Sequence, residues 1–183
     1  MDWKVEKTED TALIHALTQA AFAEYGREPG TSTALKEAEE AIAAQFVGGM
    51  QALVVYGASP LPPGGRGEKA ESDSLYPPRR AGDGGRGLPR ACVRYQIEGD
   101  ALYFHRLSVH PNYRRQGLAK KLVGHLEALA RAEGLTRLTC SVRLQKADNV
   151  ALYTCLGFQL LCERSVCRDG TPVPTGDFEK RLA

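Results

Sequence analysis

Apolar and polar residues change period several times along the chain, and each change marks an element. Residues 3–7 alternate, as in a strand with one buried face. Leu13, Ile14, Leu17, Ala20, Ala21 and Tyr25 then fall on one helical face. They predict a helix that starts in a capping region at Thr8 and runs to about Tyr25. After breaks at Gly26 and Pro29-Gly30, Leu35, Ala38, Ile42 and Phe46 predict a second helix over 33–47, ended by Gly48-Gly49. Residues 51–56 form a compact β-type run, and strand composition resumes over 90–97. The Glu98-Gly99-Asp100 turn leads into an apolar strand over 102–109, so strands two, three and four read as an antiparallel meander.

Further on, Leu118, Leu122, Leu126 and Leu129 mark one face of a helix that Gly134 can cap. Residues 135–142 alternate as another strand. A strand, a helix and a following strand make a β-α-β unit, usually parallel. Asp148-Asn149 opens a short helix to Leu156, stopped by Gly157. Residues 158–167 are strand-like, Asp169-Gly170 is a hairpin turn, and 178–182 suit a last strand. Together these elements predict one α/β (α+β) domain over 1–183. Its sheet would be mixed, mostly antiparallel and six- or seven-stranded, with helices on both faces.

The stretch 57–89 breaks the pattern. Fourteen of its 33 residues are Gly or Pro and large apolar residues are scarce, so it has little surface to bury against its ordering entropy. It is expected to be a flexible insertion joining two strands of a hairpin.

The chemistry concentrates after the 102–109 strand. Arg114, Arg115, Lys120 and Lys121 crowd a helix start, where partial positive charge already collects and acidic residues are the usual occupants. Free N–H groups there, with Gly117 allowing close backbone approach, suit a phosphate; a solvated basic surface turn is the plainer alternative. A P-loop would need Ser or Thr after Gly-Lys, and Leu118 follows Gly117 instead. A dinucleotide fingerprint would need three glycines in the turn, and only Gly117 is present.

The turn resembles the acyl-CoA-binding motif of the GCN5-related N-acetyltransferase superfamily, Gln/Arg-x-x-Gly-x-Gly/Ala, through Arg114, Gly117 and Ala119. The preceding Leu107-Ser108-Val109-His110-Pro111-Asn112-Tyr113 is similar to the ending of that family's fourth strand. A second stretch, Asn149 to Phe158, resembles the family pattern Asn…Leu-Tyr-x-x-x-Gly-Phe, and follows in family order. On a helix Asn149 and Tyr153 share a face; as ordinary residues they would be an N-cap and a half-buried aromatic.

The resemblance implies acetyl transfer from acetyl-CoA to a primary amine by direct attack in a ternary complex. It implies that the turn of Arg114, Arg115, Gln116, Gly117, Leu118, Ala119 and Lys120 holds the pyrophosphate. It further implies that backbone groups near Leu107 and Val109 meet the pantetheine and the oxyanion, with a bulge exposing them. Asn149 would contact the pantetheine arm and Tyr153 would protonate the leaving thiolate. The family often places a glutamate on the fourth strand, but Tyr103, His105 and Arg106 stand here. His105, of unperturbed pKa about 6.5, is therefore the candidate base, with Glu98 as the alternative. Phe22, Glu24 and Tyr25 fall in the segment that lies beside the acceptor site in the family.

Composition narrows the picture only a little. A net charge of +2 on 183 residues gives no ground for a nucleic-acid partner, and no apolar run is long enough for a membrane span. Five cysteines without a secretory signal read as reduced thiols in a cytoplasmic protein, and no Cys-x-x-Cys pair suggests a metal. The acceptor stays open between a small-molecule and a protein amine, as does a homodimer. The rival readings are a non-catalytic acyl-CoA-binding module and an interaction protein using the 57–89 arm.

Overall fold

The strands are β1 (Trp3–Thr8), β2 (Gln51–Gly57), β3 (Leu88–Glu98), β4 (Ala101–Val109), β5 (Arg137–Arg143), β6 (Gln159–Arg168) and β7 (Thr171–Arg181). They form one sheet in the order β1-β2-β3-β4-β5-β7-β6. Its helices are α1 (Thr11–Phe22), α2 (Glu39–Val47), α3 (Leu118–Ala132) and α4 (Ala147–Cys155). The computed structural model describes residues 3–27, 32–57 and 87–182. The 57–89 insertion therefore lies mostly outside the described residues, although Gly57 closes β2 and Leu88 and Pro89 open β3.

All strand pairs are antiparallel except β4 with β5, the two strands joined through α3. Both faces of the sheet are covered at β2, which explains its unbroken apolar run. Ala52 and Val54 join Leu13, Ile14 and Leu17 of α1 and Ile42 of α2 in one core. Leu53 and Val55 turn to the opposite core, with Leu118, Leu122, Val123 and Leu126 of α3. Val150, Tyr153 and Leu156 of α4 pack against that second core.

Three sequence expectations need correction. The cap of α1 is Asp10, whose carboxylate accepts from the Leu13 N–H at 3.0 Å, while the Thr8 hydroxyl accepts from the Asp10 N–H. The second helix begins at Glu39 rather than near 33. Ala38 is extended (ψ 160°), and the Glu37 side chain turns inward to meet Arg94. The last strand begins at Thr171, not 178. Pro172 and Pro174 conceal it in the sequence, yet they stand beyond the paired end of β5, where β6 is the strand beside β7 and the Leu144 N–H needs only the Pro174 carbonyl, so their missing N–H groups are tolerated.

The feature that creates a site is the parting of β4 from β5. They pair only at Ala101–Arg137, Leu102–Leu138 and Tyr103–Thr139, and then diverge. On its other side β4 carries a bulge: Arg106 and Leu107 together oppose Val93, between the Ser108–Cys92 and His105–Arg94 pairs. Arg106 takes a φ of 53° there, and the Ser108 hydroxyl donates to the Arg106 carbonyl at 2.9 Å.

Candidate active site

A cleft of about 880 Å³ opens where β4 and β5 separate. Its walls come from β4, β5, α4, the start of α3, and the 3-10 turn Ala23–Arg27 that follows α1. Phe104 to Leu107 and Val109 line it, and the β4 backbone here has no β5 partner. Glu24 and Asp148 are the acidic groups among its described lining residues, and arginines and Lys120 outnumber them.

At one end the first turn of α3 has no side-chain cap. Gly117 sits in the left-handed region at φ 79°, and a Cβ built there would meet nothing within 4 Å, so it would project into open space. The N–H groups of Leu118, Ala119 and Lys120 belong to the first turn, which cannot satisfy them within the helix. The four cations of this region divide by role. Arg114 binds the Glu24 carboxylate at 3.0 Å and the Ala21 carbonyl at 2.9 Å. Lys121 donates to the Trp3 carbonyl at 2.6 Å. Arg115 and Lys120 are exposed and make no ion pair among the described residues. Arg114, Arg115, Gly117, Leu118, Ala119 and Lys120 all line the cleft; the exposed Gln116 does not.

On the opposite wall α4 presents Asn149 and Tyr153. The Asn149 amide donates to the Tyr25 hydroxyl at 2.9 Å. The Tyr153 ring packs against Phe104, Phe158 and Phe178, with centroids 5.7–6.2 Å away. Burial, reinforced by Cys140, Tyr25 and Tyr103, holds its phenol well above the usual tyrosine range. It stays protonated at neutral pH and is available as a donor.

His105 also lines the cleft, its ring stacked on Tyr103 at 5.8 Å. Burial, with the charges of Arg94 and Arg106, drives its pKa down to about 3. It is therefore neutral and a weak base. Its Nε2 has no hydrogen-bond partner among the described residues. Glu98 is at the distant β3–β4 turn, held by Gln96, and does not line the cleft. Cys140 does line it, but burial and the nearby Asp177 push its thiol up, away from the thiolate a nucleophile needs.

Beneath His105 lies a charged group that periodicity did not predict. Arg94 has a fully buried side chain and forks onto Glu37, whose carboxylate also meets Arg106 at 3.4 Å. Burial alone would raise the Glu37 pKa, but the bonds and charge of Arg94, with Gln45 and Arg106, bring it down to about 2. An arginine inside the apolar run Ala91-Cys92-Val93-Arg94-Tyr95 was the available signal. Arg143, Arg164, Arg168 and Thr33 in the cleft wall carried no motif and were also missed.

Residues 63–158 match the acetyltransferase (GNAT) family, and the chain belongs to that family. Over 81 residues it is 33% identical to the [ribosomal protein bS18]-alanine N-acetyltransferase of Escherichia coli K12. That match covers 44% of this chain and 53% of the relative, so the chain spans about half the length of the curated relatives it matches. The crystal structure of the Escherichia coli ribosomal-protein-S18-alanine N-acetyltransferase superposes with a TM-score of 0.63 at 17% identity, over 100% of this chain and 95% of that one. The PaiA N-acetyltransferase of Thermoplasma acidophilum, in complex with coenzyme A, gives 0.66 at 14%, over 99% of both chains. These two likenesses are of fold.

Proposed function

We propose that the cleft binds acetyl-CoA and that the protein transfers the acetyl group to a primary amine by direct attack in a ternary complex. The observation that carries this reading is the meeting, in one cleft, of an uncapped basic helix start and a strand edge freed by the parting of β4 from β5. The helix start, with Arg115 and Lys120, suits a pyrophosphate. The freed edge at Leu107 and Val109 suits the amides of a pantetheine arm and the oxygen that gains charge in the tetrahedral intermediate. Family membership supports the donor.

In this reaction the neutral amine nitrogen bonds to the acetyl carbon, the C–S bond breaks, and the sulfur leaves as a thiolate. Tyr153 gives the thiolate its proton and regains one from water, while the amine sheds its proton to water. His105 serves as a neutral hydrogen-bond acceptor that orients the amine, since a group of pKa about 3 does not hold an ammonium's proton. Asn149 steadies the pantetheine arm, and Arg114, Gly117, Leu118 and Ala119 complete the turn around the phosphates, with Gln116 outside the cleft. The same reading makes 1–183 one acetyltransferase domain of the cytoplasm, with 57–89 as an insertion, acting on a small-molecule or protein amine.

The test is thiol release from acetyl-CoA by the wild type and Tyr153→Phe. The variant is expected to lose about 100-fold in kcat with its acetyl-CoA Kd unchanged; undiminished turnover removes Tyr153 from the acid's role. The low basicity of His105 favours a second reading, a non-catalytic acyl-CoA-binding module. Binding without thiol release from any amine would select it.

A further inference from the structure

Where β4 bulges, three segments of the chain meet on one hydroxyl. Thr33 Oγ1 accepts from Arg106 Nη2 and from Arg168 Nη1, each at 2.9 Å. Arg106 comes from the middle of β4, Arg168 from the end of β6, and Thr33 from the connection between α1 and α2. A hydroxyl has two acceptor sites, and two cations occupy them. Neither arginine gains a full counter-charge from it.

The nearby carboxylates are committed elsewhere. Glu37 is forked onto Arg94, and its Oε2 is shared with Arg106 only at 3.4 Å. Asp169, next to Arg168, pairs with Lys36. Asp177 is held by Arg164 at 2.9 and 3.0 Å. Two guanidinium groups, Arg94 and Arg106, thus share one carboxylate, and Arg168 forms no ion pair among the described residues. The Arg168 Nε is buried without an acceptor among the described residues. Arg106 and Arg168 are half-buried, and a partly desolvated excess of positive charge favours an anion that completes it. The depressed titration of His105, caused after burial by Arg94 and Arg106, reports the same field.

Arg106, Arg168, Thr33 and His105 all line the cleft. Arg106 immediately precedes Leu107, the start of the strand edge assigned to the acetyl group. We infer that Arg106 and Arg168, bridged by Thr33, hold the carboxylate of the acceptor, so that the acceptor is a small amino acid carrying its amine and its carboxylate on one molecule. This rests on the reading of the cleft as an acetyl-transfer site. Two planar guanidinium forks suit a carboxylate, and the cofactor's phosphates have their own place at the start of α3. The carboxylate fixed at Arg106 leaves the amine to reach the acetyl carbon, where the N–C bond forms as the C–S bond breaks.

The test compares thiol release from acetyl-CoA with L-alanine, L-leucine and L-glutamate, with their α-carboxamides, and with a peptide bearing a free N-terminal alanine. The free acids are expected to exceed their carboxamides by at least about tenfold in kcat/KM, and Arg168→Gln should shrink that ratio to about twofold. Arg106 also supports the fold through Glu37, so Arg168 is the position to change. A readout without turnover is calorimetry of the CoA-loaded wild type with the N-acetylated acids and their carboxamides, where the acids should bind about tenfold more tightly. Equal treatment of acids and carboxamides, failure of all the free acids, or preference for the peptide overturns the inference while acetyl-CoA binding persists. Loss of acetyl-CoA binding overturns instead the reading beneath it.

Discussion

The side-chain amide of Asn149 donates to the hydroxyl of Tyr25 across the cleft, at 2.9 Å. The bond joins α4 to the 3-10 turn after α1, segments 124 residues apart in the chain. Lys146 and Arg143 stand over the same tyrosine ring, at 4.9 and 5.9 Å from its centroid. From the other bank Arg114 binds Glu24 and the Ala21 carbonyl. The turn is therefore fastened to both walls of the cleft.

If that bond couples the walls, Tyr25→Phe and Asn149→Ala should each cost about 1 kcal/mol of stability. The double variant should cost less than their sum, by about 0.5–1.5 kcal/mol. A double-mutant cycle by urea unfolding measures it, and strict additivity would contradict the coupling.

Arg115 and Lys120 make no ion pair among the described residues, so their charge is available to a ligand. Arg115→Glu and Lys120→Glu should each weaken acetyl-CoA binding by about tenfold, with an unchanged Tm. The wild-type affinity should also fall as salt rises. Calorimetry at two salt concentrations checks this, and unaltered Kd values would remove both residues from the phosphate site.

Acid should unfold the protein through two groups with separable windows. The folded-state pKa of Glu37 is depressed from 4.5 to about 2. Its contribution is present above pH 4.5 and lost as pH falls toward 2, on the order of 3 kcal/mol. His105 is depressed from 6.5 to about 3. The unfolded chain takes up that proton first, so stability falls as pH drops below 6.5. His105→Gln should flatten the stability curve between pH 6.5 and 4.5. Glu37→Gln should cost about 3–5 kcal/mol at pH 7, because it leaves the Arg94 guanidinium buried without its counter-charge. Urea titrations at pH 7, 5.5 and 4 test both, and parallel curves for the wild type and the His105 variant would contradict the account.

What the sequence made legible was local. The leucine spacing of α3, the Asp169-Gly170 hairpin and the strand runs of β2 to β4 depend on neighbours in the chain, and all appear in the fold. The turn from Arg114 to Lys120 was legible because its charge contradicts the helix dipole. The Glu37–Arg94 pair was not, because residues 57 apart meet only once β3 is covered by the α1–α2 connection. The same pairing ended the helical reading over 33–38, where burying a carboxylate on a guanidinium outweighs the helix propensity of Ala34-Leu35-Lys36-Glu37-Ala38. Thr33, Arg106 and Arg168 were hidden for a like reason: each is unremarkable in its own segment, and only the register of β4 and β6 brings them to one point.

The central claim, that this cleft is an acetyl-CoA site, is tested most directly by calorimetric titration of the purified protein with acetyl-CoA. The account predicts saturable binding at one site per chain, weakened when the charges of Arg115 and Lys120 are reversed. Absence of heat up to millimolar acetyl-CoA, in a protein shown to be folded, would contradict it.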